Sequence, residues 1–329
     1  MGTVGRLNRL AGGVRHELRL VRELRPRVGL RRALAHRIRT NLDLDEALGR
    51  LDAAARTAED LSSRVRRLEL HDRIGACETW IRLAAPSDSL ITVVMATRDR
   101  ADLVTRAISS VQAQTHRNWE LLVVYDASND ETASVLAAVR DSRVRVLQGE
   151  GKGLGAARNI GLDQARGAVI AYLDDDNTMM PAWLAAVAWA FDNNSEAELL
   201  YGALIVERMW DPLPALNFEP FDAELLAQKN FIDTSALAHR RELTGARWSP
   251  EDRYRGVEDW ELALRLTAHR PPMALPVRAA VYRTSAPNRL TDHPATALAR
   301  AEVLQRRQNQ RRSETGEGPN PPRGDPSRR

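Results

Sequence analysis

Between residues 90 and 191 the chain alternates four times between a short apolar run and a stretch of helical spacing. No other feature constrains the fold as strongly. Leu90–Met95, Glu120–Tyr125, Val144–Leu147 and Ala168–Leu173 have the length and the β-branched content of strands in a sheet interior. Arg100–Gln114, Asp130–Arg140, Gly155–Ala165 and Pro181–Phe191 read as helices. Leu103, Ala107, Ile108 and Val111 share one face of the first, and Pro181 suits a first helical turn. Strands separated by helices require right-handed crossovers and a mostly parallel sheet, so the fold class is α/β. Such sheets bind ligands outside the carboxyl ends of their strands. Beyond residue 195 the pattern predicts strands at Leu199–Val206 and Ala279–Arg283, and helices at Asp222–Lys229 and Val257–Thr267.

Charge divides the 329 residues differently. The formal net charge is +4, yet residues 1–40 hold 11 Arg and two Glu, and residues 306–329 hold seven Arg and three acids. An acidic body therefore lies between a basic arm and a basic tail. The arm, residues 1–88, carries two apolar series of helical spacing, Val4 to Val28 and Leu44 to Leu68. A basic amphipathic helix suits peripheral contact with an anionic membrane; the same face suits a coiled coil or homo-oligomer. The tail, residues 306–329, is polar and predicted to be disordered. Residues 89–305 form the domain, with one half near 89–195 and a second near 196–290. One cysteine, Cys77, excludes an intramolecular disulfide, and no apolar run approaches a membrane span. Arg recurs too often near the N-terminus for a secretion signal, so the expected location is cytoplasmic.

Polar residues follow each predicted strand directly. Ala96-Thr97-Arg98-Asp99-Arg100 comes after the first, Asp126-Ala127-Ser128-Asn129-Asp130 after the second, and Asp174-Asp175-Asp176-Asn177 after the fourth. The third leads into Gly149-Glu150-Gly151-Lys152-Gly153-Leu154-Gly155, with Arg158 and Asn159 beyond it. Three adjacent carboxylates repel unless a cation or basic group offsets them. Carboxylate oxygens suit Mg²⁺ or Mn²⁺, which commonly combine one or two such ligands with a substrate's phosphates; the bland alternative is a solvated acidic loop. Alternate glycines let the backbone approach a phosphate or sugar. Their spacing is neither the dinucleotide fingerprint nor a P-loop, because Gly153 follows Lys152. Arg158 is a candidate donor to an anionic ligand. Glu258-Asp259 opens a predicted helix, where a carboxylate either complements the dipole or serves as a general base.

Taken in order, residues 89–283 resemble a family 2 glycosyltransferase with the GT-A fold. Ala96-Thr97-Arg98-Asp99 is similar to that family's opening segment, and Ala157-Arg158-Asn159-Ile160-Gly161 matches its Ala-Arg-Asn-x-Gly. Leu173-Asp174-Asp175-Asp176-Asn177 keeps both carboxylates of the DxD motif, and Glu258-Asp259 resembles the late acidic pair. The second-strand motif departs, with Tyr125 in place of an Asp and Ala127 in place of a Gly. The resemblance implies metal-dependent, inverting transfer from a nucleotide-diphosphate sugar, a UDP-sugar being favoured, to a hydroxyl of a glycan, lipid-linked or natural-product acceptor. It implies donor contacts from Ala96, Thr97, Arg98, Asp126, Ser128, Lys152, Gly153, Arg158, Asn159, Asp174 and Asp175. It also implies Mg²⁺ or Mn²⁺ at Asp176 with Asp174, Asp259 as base, and Glu258 positioning Asp259 or the acceptor. Asn230 and Asp233, with Trp260, then face the acceptor.

Two rival readings use the same residues. A sugar-phosphate nucleotidyltransferase requires a glycine-rich basic loop after the first strand, where this chain has Met95-Ala96-Thr97-Arg98-Asp99. A non-catalytic nucleotide-sugar-binding scaffold requires no intact acidic pair. A nucleic-acid partner is not expected, since no aromatic residue interleaves the Arg-rich arm.

Overall fold

The computed structural model describes residues 43–207, 215–249, 254–268, 270–284 and 295–315. The chain divides into two compact units, Met1–His71 and Asp72–Arg329. In the first, the predicted series from Val4 lies outside the described residues, and helix α1 (Asp43–Leu83) is described from Asp43 onward. The last turns of α1 belong to the second unit. There Ile74 and Ile81 are buried, Cys77 packs against the core, and Glu78 pairs with Arg278. The body thus begins well before the predicted boundary at residue 88, because Ile74, Cys77 and Ile81 recur at helical spacing and give these turns an apolar face.

Four strands form the first half of the sheet: β1 (Ile91–Thr97), β2 (Trp119–Tyr125), β3 (Val144–Gln148) and β4 (Val169–Tyr172). They lie in the order β3-β2-β1-β4, all parallel, as the helix-separated runs predict. Every residue of β1 is buried, since its two faces pack on different layers. Val93 and Met95 join the main core with helix α2 (Ala101–Gln112), whereas Ala96 and Val124 pack with Ala157 of helix α4 (Leu154–Asp163). Helix α3 (Thr132–Ala137) lies between β2 and β3 in sequence.

Gly161 explains the glycine of the Ala157–Gly161 segment. A Cβ there would fall 2.6 Å from Cγ1 of the buried, β-branched Val94, so the helix lies against β1 only without a side chain. Gly161→Ala is expected to destabilise the protein by roughly 1–3 kcal/mol, the usual range for overpacking. Chemical denaturation reads this as a lower midpoint, and an unchanged midpoint would show that Val94 can yield.

Past β4 the sheet changes character. After β5 (Thr178–Met179) come helix α5 (Trp183–Asn193), β6 (Leu199–Glu207), β7 (Ala215–Asn217) and helix α6 (Ala223–Leu226). They are followed by β8 (Leu237–Arg240), helix α7 (Glu258–Leu266), β9 (Met273–Arg283) and helix α8 (Ala295–Thr315). Strand β8 pairs antiparallel with β4, Ala171 opposite Ala238, and the order continues β8-β6-β9-β5. Antiparallel pairing brings the residues before β8 to the edge where the parallel strands end. Strands β5, β7 and β8 span two to four residues, too few to give a periodic signal. At the other end of the chain, polarity after Arg306 predicts disorder, but α8 continues to Thr315. No Gly or Pro interrupts residues 306–315, and Gly316 follows the last helical residue.

Candidate active site

The carboxyl ends of β1, β2 and β4, the turn before β8 and the start of α7 enclose a cleft of about 320 Å³. It is lined by the predicted residues Ala96, Thr97, Arg98, Asp126, Gly153, Arg158, Asp174, Asp175, Asp176, Asp233, Glu258 and Asp259. Residues separated by more than 150 positions in sequence meet there because the sheet edge collects them.

Each carboxylate of the acidic triplet has an arginine. Asp174 Oδ1 accepts a hydrogen bond from Arg158 Nη2 at 2.6 Å. Arg100 Nη1 donates to Asp175 Oδ1 at 2.7 Å and to Asp176 Oδ2 at 2.8 Å. Burial pushes Asp175 up to about 6, against the opposing pull of Arg100. Burial also raises Asp176, as does the charge of Asp174. The triplet is fastened to the turn before β8, where Ser235 Oγ accepts from the Asp174 amide and from Asn177 Nδ2. In that turn the Asp233 carboxylate accepts from the Ser235 amide, and burial holds it well above the ordinary Asp range.

Arg158 is almost wholly buried and also lies over the Trp248 ring, 4.1 Å from its centroid. Asn159 does not line the cleft. Its side chain bonds both backbone groups of Trp248 and so fixes the residue on which Arg158 stacks. Behind Trp248, the buried Tyr172 hydroxyl meets Nε2 of His239 at 2.8 Å, and burial lowers His239 to about 4. A neutral His239 accepts the Tyr172 proton there while its Nδ1–H donates to the Arg240 carbonyl.

The acidic pair is built at the start of α7. Gly256, at φ +80°, turns the chain, and its amide donates to Glu258 Oε2. Burial, and then the charge of Glu258, pushes Asp259 up to about 7, a value suited to accepting a proton near neutral pH. The Asp259 carboxylate accepts from the Trp260 amide at 2.7 Å and from Asn230 Nδ2 at 3.0 Å. The amide of Ile232 bonds Asn230 Oδ1, which sets the orientation of that side-chain amide. Asn230, predicted to face the acceptor, therefore holds the second carboxylate. Trp260, predicted likewise, is buried with its indole N–H on the Leu226 carbonyl, so it anchors α7.

The glycine-rich loop holds an anion from its own chain. Asp126 accepts from the amides of Gly151 and Gly153 at 2.7 and 2.9 Å, and Gly153 has φ +91°. Lys152 is not among the residues lining the cleft; it is mostly exposed and pairs with Glu150. Ser128 also lies off the cleft; its hydroxyl accepts from the Asp99 amide. Ala127, where the resembling family has Gly, sits at φ +54°. A left-handed backbone costs an alanine about 1–2 kcal/mol, which accounts for a glycine at that position.

Sequence reasoning assigned no role to Arg100, Arg255 or Tyr282, which also line the cleft. Arg100 stands in the first strand-end loop and was legible by position. Arg255 precedes the acidic pair, and among the described residues it has no carboxylate partner.

Asp174 and Asp176 offer hard oxygen donors on one cleft wall, which fits Mg²⁺ or Mn²⁺. Among the described residues no three His, Cys, Asp or Glu side chains converge into a complete ligand set, so substrate phosphates and water would complete the shell. No helix among the described residues is long and apolar enough to cross a membrane.

Comparison with known proteins agrees with this architecture. The protein is 39% identical over 99 residues to the Escherichia coli enzyme UDP-Glc:alpha-D-GlcNAc-diphosphoundecaprenol beta-1,3-glucosyltransferase WfgD, covering 30% of this chain and 38% of that one. It is 44% identical over 92 residues to the succinoglycan biosynthesis protein ExoO of Rhizobium meliloti, covering 28% and 26% of the two chains. The chain thus spans well under half the length of these relatives. Its fold matches S. aureus TarS residues 1–349, crystallised with UDP-GlcNAc, at a TM-score of 0.54 and 16% identity, covering 68% of this chain and 72% of that one. Residues 92–221 match the family model described as glycosyl transferase family 2. That segment runs from β1 through the acidic triplet to the turn before α6, and it is similar to glycosyl transferase family 2 domains.

Proposed function

We propose that this protein transfers a sugar from a nucleoside-diphosphate sugar to an acceptor hydroxyl, with inversion at the anomeric carbon. One observation carries the reading: Asp174–Asp176 and Glu258–Asp259 share a single cleft at the carboxyl edge of the sheet. In the reaction, Asp259 takes the acceptor O–H proton as that oxygen bonds to the anomeric carbon. The bond from that carbon to the phosphate oxygen breaks, and the nucleoside diphosphate leaves with the electron pair. Arg158 offers a buried guanidinium to the donor, and Arg255 adds a cation on the side of Asp259. Asp174 and Asp176 would hold Mg²⁺ or Mn²⁺, which when bound supplies positive charge that stabilises the leaving diphosphate. A UDP-sugar is the favoured donor, as the names of WfgD and the TarS complex suggest. A lipid-linked acceptor is consistent with the WfgD name and with a membrane-contacting role for residues 1–40.

The purified full chain with Mn²⁺ and UDP-glucose, UDP-GlcNAc or GDP-mannose is expected to release nucleoside diphosphate slowly even without acceptor. Donor binding with neither hydrolysis nor transfer would favour the scaffold reading. Pyrophosphate release from nucleoside triphosphate and sugar 1-phosphate would favour the nucleotidyltransferase.

Asn230→Ala is expected to lower kcat about tenfold at neutral pH with little change in donor KM, a modest share of what a base contributes. Loss of a donor to the ionised carboxylate raises its pKa, so the acid limb of the rate profile moves to higher pH. An unmoved limb would mean that Asn230 serves only the loop.

A further inference from the structure

Arg100 stands out among the cleft residues because one of its nitrogens, Nη1, serves two carboxylates at once. The two carboxylates differ in setting. Both line the cleft, but the Asp175 side chain is 6% exposed and the Asp176 side chain 14%. Asp175 therefore depends on Arg100 for compensation, while Asp176 reaches the open cleft and can take another cation. The Arg100 backbone is anchored at the start of α2, where its amide donates to Thr132 Oγ1 and its carbonyl accepts from the Leu103 and Val104 amides. The guanidinium is held beside the acidic triplet by Asp175 and Asp176.

We infer that Arg100 is the internal counter-ion of Asp176, and that Asp176 exchanges it for a divalent cation when the site loads, leaving Arg100 on Asp175. The inference rests on the divalent-cation reading of the proposed function and adds a residue which that reading lacks. Without the ion, three carboxylates crowd one turn with two arginines between them, so the turn stays ordered and the site stays formed. With the ion, the local charge changes from net negative to net positive, as a diphosphate requires. Exchange makes cation affinity a difference between two partners, so the ion binds weakly on its own. Donor phosphates then add ligands to the ion and draw Asp176 away from Arg100.

The test is Mn²⁺ binding to the full chain, followed by the electron paramagnetic resonance signal of free Mn²⁺, without nucleotide and then with UDP. Arg100→Gln is expected to bind Mn²⁺ about tenfold more tightly than wild type when nucleotide is absent, the scale of one charged hydrogen bond. Asp176→Asn is expected to lose binding in both conditions. Equal or weaker Mn²⁺ binding by a folded Arg100→Gln protein overturns the exchange while leaving the cation reading intact. Absence of Mn²⁺ binding in wild type and Arg100→Gln, with UDP present as well, overturns both. Should Arg100→Gln melt below assay temperature, Arg100→Lys replaces it. An ammonium lacks the planar fork, so a tightening of a few-fold is expected, and no change overturns the inference.

Discussion

Asp259→Asn is expected to lower glycosyl transfer by roughly 10²–10⁴-fold, the range supplied by a positioned general base. The substitution is nearly isosteric, but its single amide oxygen can accept from only one of the two donors that Asp259 serves with separate oxygens, the Trp260 amide at Oδ1 and Asn230 at Oδ2. Donor binding should stay close to wild type and the melting temperature should fall only by the scale of one lost hydrogen bond, about 1 kcal/mol, which separates loss of the base from loss of the fold. Radiolabelled sugar transfer together with a thermal melt makes the distinction. Near-normal turnover would move the proton to another group, with Glu258 the next nearest in sequence. The pH profile gives a second reading. As the proposed base Asp259 would act only when ionised, and burial beside Glu258 raises its pKa to about 7. The wild-type rate should thus hold above pH 7 and fall about tenfold per unit well below it.

Arg158→Ala is expected to damage both the donor site and the fold. Arg158 neutralises Asp174, and Glu258 and Asp259 also draw on its charge. Removing one member of a buried pair commonly costs about 3–5 kcal/mol, and the lower end applies here because the Asp174 side chain is 29% exposed. Donor affinity should fall at least tenfold, since a charged hydrogen bond contributes about 1.5–3 kcal/mol. In Arg158→Ala/Asp174→Ala part of the lost stability should return, because Asp174 no longer stands without its partner while Glu258 and Asp259 still lack the Arg158 charge, and donor binding should not return. Isothermal titration with a UDP-sugar and a urea melt on the same samples measure both effects. Recovery of donor affinity in the double variant would contradict a direct role for Arg158.

How legible this site was follows from where its residues lie. The four parallel strands and the three acidic positions 174–176 sit in a continuous periodic stretch, so spacing alone located them. Asn159 belongs to the Ala157–Gly161 motif and Asn230 is a residue that the resemblance turns toward the acceptor, yet each directs its amide to a partner that spacing cannot reveal: the Trp248 backbone for one and Asp259 for the other. Trp260 looks like an acceptor platform beside the acidic pair until α6 supplies the Leu226 carbonyl for its indole. These pairings span 29 to 89 residues and depend on β8 running antiparallel beside β4, a strand too short to announce itself. Arg100 was visible in the first loop, but its pairing with two aspartates 75 and 76 residues later depends on the β1–β4 register.

The Asp126 carboxylate has one further consequence. Backbone amides of a glycine-rich turn are fixed dipoles that ordinary salt screens little, and here two of them are already spent on Asp126. On the proposed function, a diphosphate in this cleft would rely on full charges, those of the guanidinium groups and of the proposed cation. Counter-ions compete with such contacts directly. Donor affinity should accordingly weaken as ionic strength rises, and the loss should be greater for a nucleoside diphosphate than for the uncharged nucleoside.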